Sequence, residues 1–267
     1  MKPSHPAAHI LFLVLLFSLF ALPAGILVLV GLAPGWRFPD LWPEQFSLAG
    51  IEFLITHKDQ IVSSLAASFL YSLATVFVTL GMCLTPAAAF ARQKFAGKRL
   101  LEALLLTPAL VPPMTFAMGL HVVFIKLALA DTVAGVVLIL ALFSYPYMFR
   151  ALVAGFQAMG EEYRICAKNL GAGNFAVFRQ VELPLLVPAM IAGGSVVFLV
   201  AFSEYFLVFL MGGGNVPSFT GFLMPLLSSS NRSLAAVLTL IFLLLPILLF
   251  FALDLSLMRT YRKKGMV

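Results

Sequence analysis

Charge is what this sequence has least of. Asp, Glu, Lys and Arg make up 10% of 267 residues, against 62% hydrophobic residues. A soluble domain of this length needs a charged surface, and too little charge is available to build one. Cysteine is almost as scarce: Cys83 lies in an apolar run and Cys166 in a polar one. Two thiols in such different settings exclude a disulfide framework and a metal-binding spacing, and both read as small packing residues. The constellations of an enzyme are missing too, with no H-E-x-x-H pattern and no serine–histidine pair. The nearest approach to a phosphate loop is Gly97-Lys98. There, Arg99 stands where Ser or Thr is required, and no glycine stands five residues before Gly97. The expectation is therefore no catalytic residue, no metal and no cofactor. The positive charges form no patch interleaved with aromatics, so nucleic acid is not an expected partner.

What the chain does have is apolar length. The mean hydropathy is +1.05, and several apolar runs exceed the roughly 18 residues that mark a membrane-spanning helix. These runs do not alternate in polarity, which excludes a β-barrel. The fold class expected is an all-α polytopic membrane protein with six transmembrane helices, at about 10–32, 63–91, 100–126, 132–152, 187–211 and 234–258. Lys2 and the run from Ile10 to Phe20 have the form of a signal peptide, but the run continues to Leu32 and is long enough to span. Thirteen of the 17 basic residues, among them Lys2, Arg92, Arg164 and Lys264, fall in one set of connecting segments. Arg37, Lys58, Lys126 and Arg232 fall in the other. The positive-inside rule then places both termini and the stretch 161–186 in the cytoplasm. Outside, residues 33–60 read as a partly ordered interfacial loop with Trp36 and Trp42, and the glycines from Gly212 read as a flexible or tightly turned loop.

Few ionisable residues enter the spans. Glu102 and Asp254 lie near cytoplasmic helix ends, His121 in the outer part of the third span and Glu204 deep in the fifth. A carboxylate in hydrocarbon must be paired, hydrogen-bonded or facing water. Glu204 thus reads either as a packing residue bonded to Ser203 or Tyr205, or as a pathway residue facing a cationic solute. Pro108, Pro112 and Pro113 interrupt the third span and free carbonyls, as packing kinks and transport pathways both do. Candidate pathway residues are Glu204, Tyr205, His121, Pro112 and Pro113. Gly193, Gly194, Ser195 and Ala201 permit close helix approach in the fifth span.

Between the fourth and fifth spans stands EEYRICAKNLGAGNFAVFRQVELPLL, an amphipathic stretch of soluble character. Tyr163, Cys166, Ala167 and Leu170 recur at helical spacing on one apolar face. Gly171 is placed to terminate that helix. Asn174 is placed to cap a second one with Phe175, Phe178 and Val181 as its apolar contacts, and Leu183-Pro184 to end it. The reading is a helix–turn–helix on the cytoplasmic surface offering a docking knob, or else a plain interfacial loop.

This stretch resembles the cytoplasmic coupling loop of permease subunits from binding-protein-dependent ABC importers, whose pattern is E-A-A, three residues, Gly, nine residues, an aliphatic residue, one residue and Leu-Pro. Gly171, Val181, Leu183 and Pro184 fall in register, and Ala167 fills the second alanine position. Ile165 stands in place of the acidic residue and Cys166 in place of the first alanine, with Glu161 and Glu162 just upstream. The basic turn ARQKFAGKR before a proline-broken span and the segment FSYPYMFRALVAGFQAM are similar to the family as well, over roughly residues 63–258. The resemblance implies a MetI-like type I permease domain at 63–258, preceded by a first helix and periplasmic loop at 1–62 and followed by a basic cytoplasmic tail at 259–267. It implies ATPase coupling through Glu161, Glu162, Ala167, Gly171, Val181, Leu183 and Pro184. The implied partners are ABC ATPase subunits, a second permease subunit that is a different chain, and a periplasmic or lipid-anchored solute-binding protein. The implied place is the bacterial inner membrane, and the implied branch is that of polyamines such as spermidine or putrescine, ferric iron, thiamine and phosphonate-like solutes. An ion-gradient-driven secondary transporter is the alternative; it calls for paired intramembrane charges and an inverted repeat, and neither is found in the sequence.

Overall fold

The computed structural model describes residues 6–36, 39–228 and 231–263. Lys2, Arg37 and Lys264 lie outside the described residues, as do the side chains of Asp254, Arg259, Arg262 and Lys263. In chain order the helices are α1 (Pro6–Leu32), α2 (Ala49–Thr56), α3 (Lys58–Arg92), α4 (Lys98–Leu106), a 3₁₀ turn (Thr107–Ala109) and α5 (Pro113–Lys126). They continue with α6 (Val133–Met159), α7 (Glu162–Asn169), α8 (Asn174–Val177), a π-turn (Phe178–Glu182), α9 (Leu183–Ser203), α10 (Phe206–Gly212), α11 (Phe219–Leu227) and α12 (Arg232–Lys263). Among the described residues, five helical stretches are long and apolar enough to cross a membrane. The pair Lys98–Ala109 and Pro113–Lys126, bent by 96°, makes a sixth span if counted as one. No strand occurs among the described residues.

The chain divides into two compact units, one of residues 1–62 and 222–267 and the other of 63–221. In the first, α1 packs along α12 and both meet α2. Two glycines set that contact: a Cβ on Gly31 would lie 3.0 Å from Val237 Cγ2, and one on Gly50 2.8 Å from the same atom. Ser233 Oγ donates to the Gly31 carbonyl at 2.6 Å, a bond shielded from solvent. The 33–60 stretch is more ordered than a loop, because α2 forms within it and α3 begins at Lys58. Much of α1 is left uncovered, with Phe17 75% and Phe20 74% exposed. Such a surface requires a hydrocarbon solvent.

In the second unit α6 is the central element and α9 its principal partner. They approach closely because Gly155 and Gly193 stand at the contact. A Cβ on Gly155 would lie 2.5 Å from the Ala189 Cβ, and one on Gly193 2.9 Å from the Ala151 Cβ. Along α3, Ser64, Ser68, Ser72, Thr75 and Thr79 are buried at helical spacing. Thr75 and Thr79 satisfy their hydroxyls on the carbonyls of Tyr71 and Thr75, at 2.8 and 2.7 Å, which lets small polar residues pack inside a bundle. One apolar cluster gathers Tyr71, Phe124, Ile139, Leu140, Leu207 and Met211. The other gathers Cys83, Phe90, Phe149, Leu152, Phe156 and Leu186.

Among the described residues, the third and fifth spans are interrupted. In the third, Pro112 (φ −54°, ψ 131°) turns the chain and Pro113 opens α5, where its missing amide is no loss. In the fifth, the helix expected over 187–211 stops at Ser203 and restarts at Phe206. Past the restart, Gly213 (φ +54°) ends α10.

Candidate functional site

The amphipathic stretch folds as α7, a turn and α8, and α8 runs through the π-turn into α9. Gly171 takes φ +86°, and its amide donates to the Lys168 carbonyl at 2.9 Å while that of Ala172 donates to Ala167 at 3.1 Å. This paired pattern closes a helix on a left-handed residue, as the sequence leads one to expect. Two details differ. Gly173, and not Asn174, is the residue ahead of α8, and no side chain caps it. Leu183-Pro184 does not end the helix, since α9 opens there in direct continuation. Proline in a helix forfeits one amide bond and crowds the carbonyl four residues back. A π-turn just ahead widens the spacing and accommodates both effects.

The apolar face of α7 is uncovered, with Tyr163 59% and Leu170 83% exposed; Ile165, off that face, is 52% exposed, and Phe175 on α8 is 74% exposed. Glu162, Ile165, Cys166, Asn169 and Leu170 line a shallow depression beside it. Of the apolar contacts expected for the second helix, Phe178 and Val181 are half-buried and Phe175 is open; Val177, which the pattern did not single out, is the buried anchor. The face therefore has the exposure of a docking surface and not of a core.

Beneath it lies a charge cluster that sequence reasoning missed. Arg92, the last residue of α3, bonds Glu182 through Nη2 at 2.8 Å and sets its guanidinium 4.8 Å from the Phe156 ring centroid. Arg164 Nε stands 3.7 Å from the same Glu182 oxygen, and Arg92 Nε 3.9 Å from Glu161. Glu182 is buried. Two guanidiniums face it, which offsets the cost of burying an acid there. The available signal was the acid inside VELP, at the mouth of an apolar span where an unpaired charge is costly.

At the break of the fifth span, Glu204 Oε1 accepts from the amides of Phe206 and Leu207 at 3.1 and 3.2 Å. Its partners are these backbone amides. Ser203 instead bonds the Leu199 carbonyl at 2.7 Å, and Tyr205 stacks on Phe209 with centroids 5.7 Å apart. The Glu204 carbonyl accepts from Thr220 Oγ1 at 3.2 Å. Glu204 is thus a cap for α10. Among the described residues, none of the ion pairs includes it. His121 lies on α5, which packs against α10, and its Nδ1 is buried without a hydrogen bond. Pro112 and Pro113 lie at the bend of the third span. The described residues contain no group of His, Cys, Asp and Glu able to hold a metal ion.

Comparison with known proteins connects this architecture to a family. The chain is 27% identical over 156 residues to the molybdate/tungstate transport system permease protein WtpB of Thermococcus kodakarensis, covering 58% of this chain and 63% of that one. It is 32% identical over 138 residues to the probable sulfate transport system permease protein cysT of Nephroselmis olivacea, covering 47% and 48%. It is 27% identical over 176 residues to the molybdenum transport system permease protein ModB of Mycobacterium tuberculosis, covering 61% and 64%. The chain therefore spans about half to just under two thirds of the length of these curated relatives. Its fold is that of a chain in the crystal structure of a bacterial ABC transporter involved in the import of the acidic polysaccharide alginate, with a TM-score of 0.69 at 14% identity, covering 95% of this chain and 99% of that chain. None of these relatives carries a polyamine, iron or thiamine in its name. The model of the binding-protein-dependent transport system inner membrane component matches residues 78–262, well over half of the chain, and the chain belongs to that family.

Proposed function

We propose that this chain is the permease subunit of an ATP-driven importer. It would form a solute path across the cytoplasmic membrane while a separate ATPase docks on α7. The observation that carries the reading is the outward apolar face of α7, closed by a left-handed Gly171 and joined without a break to a membrane span. A surface helix with Ile165 and Leu170 uncovered calls for a protein partner. Continuity through the π-turn into α9 gives that partner a rigid route to the membrane. Glu162, Ala167 and Gly171 belong to the docking element, and Val181, Leu183 and Pro184 to its connection with the span. Glu161, just ahead of α7, faces Arg92.

For the solute we propose a small tetrahedral oxyanion, with molybdate or sulfate as the representatives to try first. The names of the relatives support this, and so does Glu204: its carboxylate is engaged by two backbone amides, which removes the main argument for a cation. His121, Tyr205, Pro112 and Pro113 remain the candidate path residues, on α5, α10 and the bend ahead of α5. The partners would be an ATPase, a second permease subunit and a solute-binding protein on the outer face.

The test is affinity purification of the tagged chain in mild detergent with mass spectrometry of what it retains, followed by uptake of radiolabelled molybdate and sulfate. Retention of an ATPase subunit is expected. A folded chain that repeatedly emerges alone would return the ion-gradient alternative to consideration.

A further inference from the structure

We infer that Arg92 is the positioning residue through which displacement of α7 reaches the membrane spans. It holds Glu182 in the present state and takes Glu161 as a second partner when α7 advances. This deepens the transport reading and rests on it for its functional half.

α7 is thinly attached. None of its residues is buried, and it packs chiefly on α8 and the π-turn. Apolar contact alone gives such a helix a loose hold. Its Arg164 faces Glu182, which is buried in the π-turn that leads into α9. Glu182 in turn holds Arg92 at 2.8 Å, and Arg92 ends α3 and lies over Phe156 of α6. One guanidinium thus touches the ends of two spans and the turn that starts a third. Force applied to α7 meets this cluster before it meets any apolar core.

The second observation is an open donor. Arg92 Nε is buried and makes no hydrogen bond. Glu161, the residue just ahead of α7, stands 3.9 Å from it. A hydrogen bond needs about 3 Å, so an approach of about 1 Å by the start of α7 completes the contact. Leaving a buried charged donor open is unfavourable, and a second state that fills it is therefore favoured once α7 is pushed inward. The cluster has one arrangement made and another within reach, which is what a two-state transmission element requires. Arginine suits the position because its fork can serve two carboxylates at once, whereas a lysine ammonium is a single point.

The experiment uses the full chain in lipid. A spin label on Lys168→Cys, which is exposed and outside the depression on α7, is placed in a Cys166→Ser background and paired with one on Arg150→Cys in α6; Cys83 is fully buried and stays unlabelled. Distances are read with and without the ATPase and ATP, and import of molybdate per ATP hydrolysed is measured in parallel. Arg92→Ala and Glu182→Gln are expected to broaden the resting α7–α6 distance. Arg92→Lys is expected to keep it narrow but to lose the nucleotide-driven shift, with import per ATP down about tenfold, within the range of ordinary coupling energies. A residue serving only to hold Glu182 would be replaced adequately by lysine. Wild-type behaviour of Arg92→Lys in both the shift and the import ratio would therefore overturn the inference, as would an unbroadened resting distance in Arg92→Ala. A wild-type chain that binds no ATPase would instead sink the transport reading and the transmission role with it, and the resting distances would then test only whether Arg92 holds α7 in place.

Discussion

Gly171 and Gly213 both adopt left-handed backbone, and they differ in what surrounds them. A Cβ on Gly171 meets nothing within 4 Å, so substitution there costs only conformational strain, about 1–2 kcal/mol for an ordinary residue. Asparagine tolerates this conformation better than alanine or valine. Import, measured alongside membrane abundance, should therefore fall in the order Gly171→Asn, Gly171→Ala, Gly171→Val, with abundance little changed. Equal import by all three would remove the helix terminus from the coupling element. Gly213 has no such room. Asp131, itself at φ 61°, donates its amide to the Met211 carbonyl at 2.8 Å and lays its carboxylate where a Gly213 Cβ would stand. Gly213→Ala should destabilise the detergent-purified protein by about 2 kcal/mol or more. Adding Asp131→Ala should recover part of the loss in thermal unfolding, because it removes the clashing oxygens.

Among the elements, α10 tests what Glu204 is for. If capping is its role, Glu204→Gln keeps the accepting oxygen and should import at close to the wild-type rate. Glu204→Ala frees two amides inside the bundle and should lower thermal stability by about 1 kcal/mol. If the charge lines a path for a cation, both variants lose import alike, and uptake assays separate the two cases. This element also marks how far the sequence could be read. Span positions were legible because hydropathy is written continuously along the chain, and the outward face of α7 because its apolar residues repeat at helical spacing. The break at Glu204 was not, since an acid in an apolar run looks the same whether it faces a solute or caps a restarted helix. Nor was the merging of α8 with α9. There the π-turn absorbs Pro184, and a Leu-Pro that normally stops a helix leaves this one running. Arg92 and Glu182, 90 positions apart, were invisible as a pair to any local pattern.

For the molecule as a whole, the outstanding question is which way it faces. The distribution of basic residues predicts that α7 and both termini face the cytoplasm, and a natural probe of this exists. Cys166 is exposed on α7, while Cys83 is buried in the second apolar cluster. A membrane-impermeant maleimide should therefore label the native chain in inverted membrane vesicles and leave it unlabelled in right-side-out ones. Cys166→Ser should abolish the signal. Because Cys166 lines the depression on α7, a docked ATPase should shield it, and washing the ATPase off should raise the labelling rate. Labelling from the outer side would invert the topology and take the coupling role away from α7. Labelling from the inner side that the ATPase leaves unchanged would keep the topology but move the docking surface elsewhere. Shielding of the inner-side label would bring orientation, exposure and partner together on one residue of an eight-residue helix.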